Sequence, residues 1–554
     1  MWLEILINVS LSMTVVLGSF QFSSAIAEKF KLNPITEKAL VVILVSAVGY
    51  VGFLVSWISY STNSDSALIA MRVLLFSCLL YLLQRRRLTS EQRHLLFVCS
   101  FSTLVAVAAA LCRGIADTSQ GIQHTLAVRY WNSVDNKIPG MFARALQHKQ
   151  QLRPTLLDGW QGSDRPPIAT GLVRVMSPLS RSQEPDFFVL VACSSVLIVA
   201  VVLLAEVLWD SRNLGISVSL SVFFAPGIFV NTVYTWPKII AASLTITAIA
   251  LLIQLKDERD TRQPYLPLAA LALVLSLLAH GSSVYVLPAF LLIALSVRGI
   301  FSLLTKTLFF SSLMYLPWYA YQQIWDPPGN RLLFWHLAGE LGGGNGSIIR
   351  TIILKYQNLG LVEILWNKLH NFEALFIRVD GNPAVSGYSG FLGQYRQLTS
   401  ETVFGAVGML CWMGLLVFVL VGFRKSSQKS HDLIVFLVFS SITFCLIEFG
   451  DSFSTRASLV VSPMAISIGL AVIGLGSLIL WLGVSPKWIF VFSIPNILIF
   501  GPMQSTAAAA GWNLQLWDLG TCVILGLGLS ILTAYVVRLS NHQIGESDGK
   551  RLTN

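Results

Sequence analysis

Apolar runs long enough to cross a bilayer recur along nearly the whole chain, and they constrain the fold more than any motif does. A helix needs about 20 apolar residues to span the hydrocarbon. Such runs fall near residues 3–26, 39–60, 66–84, 95–113, 187–208, 214–232, 239–255, 266–281, 283–297, 300–320, 402–423, 432–448, 458–483, 488–503 and 518–538. They number about fifteen, or about thirteen when short neighbours are merged. Only 12% of the 554 residues are charged, against about 25% in soluble domains. Polar side chains are too few to cover a water-facing surface. The expected fold class is therefore an all-α polytopic membrane protein. The sequence carries no Walker loop, no GxGxxG after a strand, no HExxH and no evident internal repeat.

Two long polar stretches interrupt the pattern, at residues 114–186 and 321–401. They divide the chain into N-terminal spans (1–113), a first loop, central spans (187–320), a second loop, C-terminal spans (402–538) and a tail (539–554). Arg85, Arg86, Arg87 and Arg93 form the densest basic cluster in a short loop, which the positive-inside rule assigns to the cytoplasm. Alternating from there brings Lys29, Lys31, Lys38, Lys256, Arg259, Arg262, Arg424, Lys425, Lys429, Lys487 and Arg538 to the same side. One misplaced span would break this parity. The N-terminus and both long loops then fall outside and the C-terminus inside, as expected for a bacterial inner-membrane protein of the cell envelope. The net charge of +10 is explained by these loops and by contact with anionic lipid, and no nucleic-acid partner is expected.

The seven cysteines lie in or beside apolar runs without CxxC spacing and read as small core residues. Ala25-Ile26-Ala27 imitates a cleavage site, but the segment begins with Glu4 and no Lys or Arg, so an uncleaved helix is expected. In the second loop, residues 348–376 show helical apolar spacing with Lys355, Lys368 and His370 between. This predicts one or two amphipathic helices, at the membrane surface or packed on the protein.

The first loop holds the residues best suited to chemistry. Asp135 follows Tyr130-Trp131 and precedes Asn136-Lys137-Ile138-Pro139, where a short helix is predicted with Pro at its start. A lone acid there reads either as a helix cap or as a base. Asp164 precedes Arg165-Pro166-Pro167, and reads either as part of a turn with a local ion pair or as a site acid. Further along, Lys238 closes the run Asn231-Thr232-Val233-Tyr234-Thr235-Trp236-Pro237, and His280 lies in Ala279-His280-Gly281. Lys238 reads either as an interfacial lysine beside Trp236 or as a phosphate partner, and His280 as a packing residue or a site residue.

In order and in sidedness, Asp135-Asn136, the Asp164-Arg165-Pro166-Pro167 segment, the Tyr-Thr-Trp-Pro-Lys run and His280 resemble the motifs of the GT-C superfamily of membrane glycosyltransferases, which includes the protein O-mannosyltransferases and aminoarabinose transferases. The resemblance covers roughly residues 95–320. It implies a GT-C-like bundle and transfer of a sugar from a polyprenyl-phosphate donor to a glycan, lipid or protein acceptor, with inversion. It further implies Asp135 as base, Asp164 as an acid positioning the acceptor or a divalent metal ion, and Asn136, Lys137, Arg165, Lys238 and His280 as substrate-binding residues. The sequence departs from the family in placing about four spans before the acidic loop, and in having Asn136 where a second acid is common. A transporter or flippase, or a polysaccharide polymerase or ligase, is the alternative. A transporter would carry ionisable residues within spans and inverted repeats, whereas only Arg72 and Lys306 are basic well within spans.

Overall fold

The structure is a computed structural model. It describes residues 1–85, 88–114, 134–150, 160–179, 184–258, 263–297, 300–327, 331–340, 347–376, 408–422, 427–450, 464–483 and 523–538, with a few single residues between. All regular elements among them are helices. Seven described helices are long and apolar enough to cross a membrane, and a bent pair makes an eighth. Shorter apolar helices complete the bundle.

The chain begins with α1 (Trp2–Phe30), α2 (Pro34–Ser61), α3 (Ser66–Arg85) and α4 (Ser90–Gly114). Pro34 at the first position of α2, with the Thr36 N–H donating to Asn33 Oδ1 at 2.9 Å, fixes the first reversal. A 3-10 turn (Val134–Lys137) then leads into α5 (Ile138–Gln147), and a second (Gly162–Asp164) into α6 (Pro167–Met176). Next come α7 (Glu184–Cys193) with α8 (Val196–Trp209), together one fully buried span, then α9 (Arg212–Phe223), bent by 68° into α10 (Pro226–Tyr234). The other fully buried span is α11 (Lys238–Glu258), which packs on α8, on α12 (Tyr265–Ala279) and on the later helices. A 3-10 segment (Gly281–Val286), α13 (Leu287–Leu295) and α14 (Phe301–Ile324) follow. Beyond them lie α15 (Arg331–Ala338), α16 (Ile348–Gln357), α17 (Leu361–Phe376), α18 (Met409–Val417), α19 (Gln428–Ile447), α20 (Met464–Leu482) and α21 (Val523–Arg538).

Side-chain contacts give the bundle two distinct ends. Lys38, Glu91, Glu206 and Arg212 meet at one, as do Lys256 with Asp432 and Lys429 with Asp257. This basic end also receives the α1–α2 reversal, where Gln263 accepts from the Asn33 N–H at 3.2 Å. The ends of α2, α10, α12, α14 and α19 lie at the opposite end, together with the elements between α4 and α7. Lys38, Lys256 and Lys429, which the alternation puts on one side, are thus held in ion pairs at one end of the bundle.

Residues 114–186 are more than a loop. All ten residues of α6 are buried, and α6 crosses α2 at glycines. A Cβ on Gly171 would stand 1.8 Å from the Gly49 carbonyl oxygen, so only paired glycines allow this approach. Pro166 and Pro167 do not prevent a helix here. They begin it, since Pro167 needs no N–H at the first position. The polar flanks and the shortness of the apolar run concealed α6. The predicted amphipathic stretch does form, as two helices separated at Asn358–Gly360. Ile349, Ile353, Leu361, Leu365 and Trp366 on them are exposed.

Candidate active site

The first 3-10 turn carries Asp135 and is docked by its neighbour. The Asn136 side-chain amide donates to the Tyr234 carbonyl at 3.1 Å, at the end of α10. An ionised Asp at this position would set a carboxylate against a carbonyl oxygen, so the local partner favours the amide. The Asp135 side chain lies outside the described residues. Lys137 is half-buried. Asn136 brings Asp135 beside the Tyr-Thr-Trp-Pro-Lys run, whose conformation is strained. Thr235 has φ 64° and ψ 30°, a left-handed conformation that β-branched residues rarely adopt. Its hydroxyl is buried and has no hydrogen-bond partner among the described residues.

Lys238 begins α11, where the helix dipole presents its positive end. A cation there is set against the dipole, so helix stability does not explain it. Its Nζ sits 3.3 Å from the Trp236 ring centroid, and the residue is 2% exposed. A desolvated cation–π contact of this kind is worth about 2 kcal/mol. Tyr234 meets Trp236 edge-on, with centroids 4.7 Å apart.

His280 caps the 3-10 segment after α12. Its Nδ1 accepts from the Ser282 N–H at 3.2 Å, which leaves the proton on Nε2. Burial pushes its pKa well below the ordinary histidine value, and the charges of Lys238, Arg165 and His336 push it further down. The imidazole is neutral at pH 7 and offers one N–H rather than a charge. Gly281 beside it borders open space, for a Cβ there would meet no atom within 4 Å.

Asp164 ends the second 3-10 turn. Its Oδ2 accepts from the Gln161 N–H at 2.7 Å and lies 3.8 Å from Arg331 Nη1. Its Oδ1 is buried without a hydrogen-bond partner among the described residues. Burial raises its pKa, although the Gln161 N–H, Arg331 and Arg165 pull it down, and Asp326 adds to the rise. Arg165 donates to the Asp164 carbonyl at 3.0 Å and stacks 4.9 Å from the Trp160 ring. Phe142, Phe53, Trp318 and Tyr321 pack as an aromatic floor beneath the turn, with ring centroids 5.3–5.9 Å apart. Asp164 thus fills the turn role, closing the turn at Gln161 and pairing with Arg331.

Sequence reasoning missed two acids. Asp326, just past α14, accepts from the Ser163 N–H at 3.0 Å, and its Oδ1 is unpartnered. Glu448, at the end of α19, is fully buried. It accepts from Tyr285 at 2.7 Å and meets His336 Nδ1 at 3.3 Å, while Lys368 donates to its carbonyl at 2.5 Å. Burial raises the Glu448 carboxyl, against the pull of His336, Tyr285 and Lys368. These bonds tie α15 and α17 to the bundle and carry His336 toward His280. Of the second-loop charges, Arg331 reaches Asp164, and Arg378 and Asp380 lie outside the described residues. No three His, Cys, Asp or Glu side chains group to hold a metal ion among the described residues.

Buried oxygens without partners among the described residues concentrate here: Asn136 Oδ1, Gln161 Oε1, Ser163 Oγ, Asp164 Oδ1, Asn231 Oδ1, Thr235 Oγ1, Gln322 Oε1 and Asp326 Oδ1. Native proteins satisfy nearly all buried polar groups, so such a concentration marks a place where a ligand or ordered water belongs.

No family model and no curated protein matches the chain. Its structure is similar to that of ArnT from Cupriavidus metallidurans bound to undecaprenyl phosphate. The TM-score is 0.44 at 12% sequence identity, over 80% of this chain and 77% of that one. A likeness of that degree assigns neither substrate nor residue roles.

Proposed function

We propose that the chain is an integral-membrane glycosyltransferase of GT-C type that moves a sugar from a polyprenyl-phosphate donor to an acceptor hydroxyl on the extracytoplasmic side. The observation that carries this reading is one buried polar group of residues at the end of the bundle opposite the basic loops. Lys238, Arg165, Arg331 and neutral His280 supply cations and a donor, Asp164 and Asp326 supply acids, and the turn bearing Asp135 is docked on the Tyr234 carbonyl, in the run that ends at Lys238. A phosphate leaving group needs cations and N–H donors more than a general acid. In the reaction, Asp135 takes the acceptor proton as the acceptor oxygen bonds to the anomeric carbon. The bond from that carbon to the phosphate oxygen breaks, and the electron pair leaves on the phosphate, where Lys238 and Arg165 meet it. Displacement from the opposite face inverts the anomeric centre.

The positive-inside rule supports the orientation, with the basic end in the cytoplasm of a bacterial inner membrane. Asp164 holds its turn through one oxygen and offers the other to the acceptor or to a metal ion.

The test is transfer of label from a panel of radiolabelled polyprenyl-phosphate sugars in membranes holding wild type or Asp135→Asn. Transfer by wild type and a loss of at least about 100-fold in the variant are expected, the lower range for a general base. Undiminished transfer by the variant would remove Asp135 from the base role.

A further inference from the structure

A second group of cations lies apart from the candidate active site, at the far end of α6. Arg72 on α3 donates to the Arg174 carbonyl, and the Arg174 guanidinium, which donates to Gln147 Oε1 at 2.9 Å, lies close enough to feel the Arg72 charge. Lys149, just past α5, donates to the Ser59 carbonyl at 2.5 Å. Asp65 is the only carboxylate within 4 Å of these three side chains among the described residues, 3.3 Å from Lys149 and 3.7 Å from Arg174. It is also 43% exposed. Neighbouring Asp186 is engaged by Arg144 at 3.9 Å and by the Ser177 hydroxyl.

Three cations against one half-solvated carboxylate leave an excess charge of two, in a place where burial is costly for unpaired charge. Arg174 is 3% exposed, and its Nε–H and that of Arg72 are buried with no acceptor among the described residues. A guanidinium with an unused N–H edge suits a phosphate oxygen. The surroundings indicate the source of that phosphate. On α3, Ile69, Val73 and Leu74 flank Arg72 and are exposed, forming an apolar face directed at the bilayer. Arg72 lies six residues into α3, about 9 Å along the helix from its start at the Asp65 end. From that depth within the span, its long side chain can reach back to the headgroup level.

We propose that Arg72, Arg174 and Lys149 form a binding site for the phosphate of a membrane lipid whose chains lie along the exposed face of α3. The site stands whether or not the chain transfers sugar, because it uses none of the residues assigned to that reaction.

Native mass spectrometry of the full chain in neutral detergent tests this with phosphatidylglycerol, phosphatidylcholine and inorganic phosphate as probes. Phosphatidylglycerol is expected to bind one per chain in preference to phosphatidylcholine. Arg72→Gln and Arg174→Gln should each weaken it about 10- to 100-fold, the range for hydrogen bonds to a charged group. Arg72→Lys should recover part of the loss. Inorganic phosphate should compete only at far higher concentration, and equal competition would overturn the lipid as its source. Asp65→Asn removes the competing carboxylate and should tighten phosphatidylglycerol binding, which keeps the test open if an arginine variant fails to fold. Unchanged binding in folded Arg72→Gln, or no tightening in Asp65→Asn, would overturn the site.

Discussion

The two ends of this bundle treat charge in opposite ways. At the basic end, Lys38 sits 2.7 Å from Glu91 and 2.8 Å from Glu206, Lys256 lies 2.6 Å from Asp432, and Lys429 lies 3.0 Å from Asp257. Arg212 is held more loosely, 3.9 Å from Glu91, but also donates to the Glu91 carbonyl at 3.0 Å. At the opposite end the ion pairs stand at 3.3–3.9 Å, and buried oxygens around Asp164 and Thr235 have no partners among the described residues. Short, closed pairs leave little capacity for a ligand and serve the fold. Loose pairs with unused lone pairs and N–H edges leave that capacity, at a cost in stability. On the proposed reading, one end is scaffold and the other is site.

The sharpest way to break this contrast is at Lys38. Lys38→Met strands Glu206 and Glu91, and removing one partner of a buried pair costs about 3–5 kcal/mol. The purified protein should unfold correspondingly earlier in denaturant or heat. Adding Glu206→Leu should return most of the loss, because the stranded buried charge is then gone. A Lys38→Met variant as stable as wild type would remove the scaffold role of the basic end.

Much of the scaffold end was legible in the sequence, and little of the site end was. Apolar runs are local signals, so the presence of several membrane-spanning helices could be read directly. The two amphipathic helices after Ser347 were also legible, because their spacing is local and Gly360 marks the break. The site is assembled by contacts distant in sequence. Ser163 meets Asp326, His336 meets Glu448, and Asn136 meets Tyr234. No local pattern marks Glu448 as different from any acid at the end of a span. Asp135, Asp164, Lys238 and His280 stand out in the sequence as candidates because Pro, Gly and aromatic residues surround them. α6 was hidden because its evidence is a glycine on another helix.

Thr235 sharpens the comparison with a smaller effect. The left-handed conformation costs an L-residue about 1–2 kcal/mol, so Thr235→Gly should raise stability by up to about 1 kcal/mol after the entropy cost of glycine. It also removes a buried unpartnered hydroxyl, and transfer activity should fall. Gain of stability with loss of activity is what a site residue predicts. A loss of both would make Thr235 structural.

Asp164 gives the smallest effect, seen in pH dependence. Its folded pKa is raised, so its relative stabilising contribution is fully present below the unfolded value, near 3.8. The contribution is lost as pH rises through the folded value. Asp164→Asn should therefore flatten that part of the stability–pH profile and become relatively more stabilising toward neutral pH. An unchanged profile would mean that Asp164 titrates as in the unfolded chain.

The most direct test of the division into scaffold and site is thermal stabilisation of the purified chain by a polyprenyl phosphate, measured in wild type, Lys238→Met and Lys256→Met. A ligand that binds only the folded state stabilises it by about 2.7 kcal/mol at a hundredfold excess over Kd. Stabilisation of wild type and Lys256→Met, with little or none in Lys238→Met, is the predicted result. Equal stabilisation of all three, or its loss in Lys256→Met instead, would contradict the placement of the site at the Lys238 end.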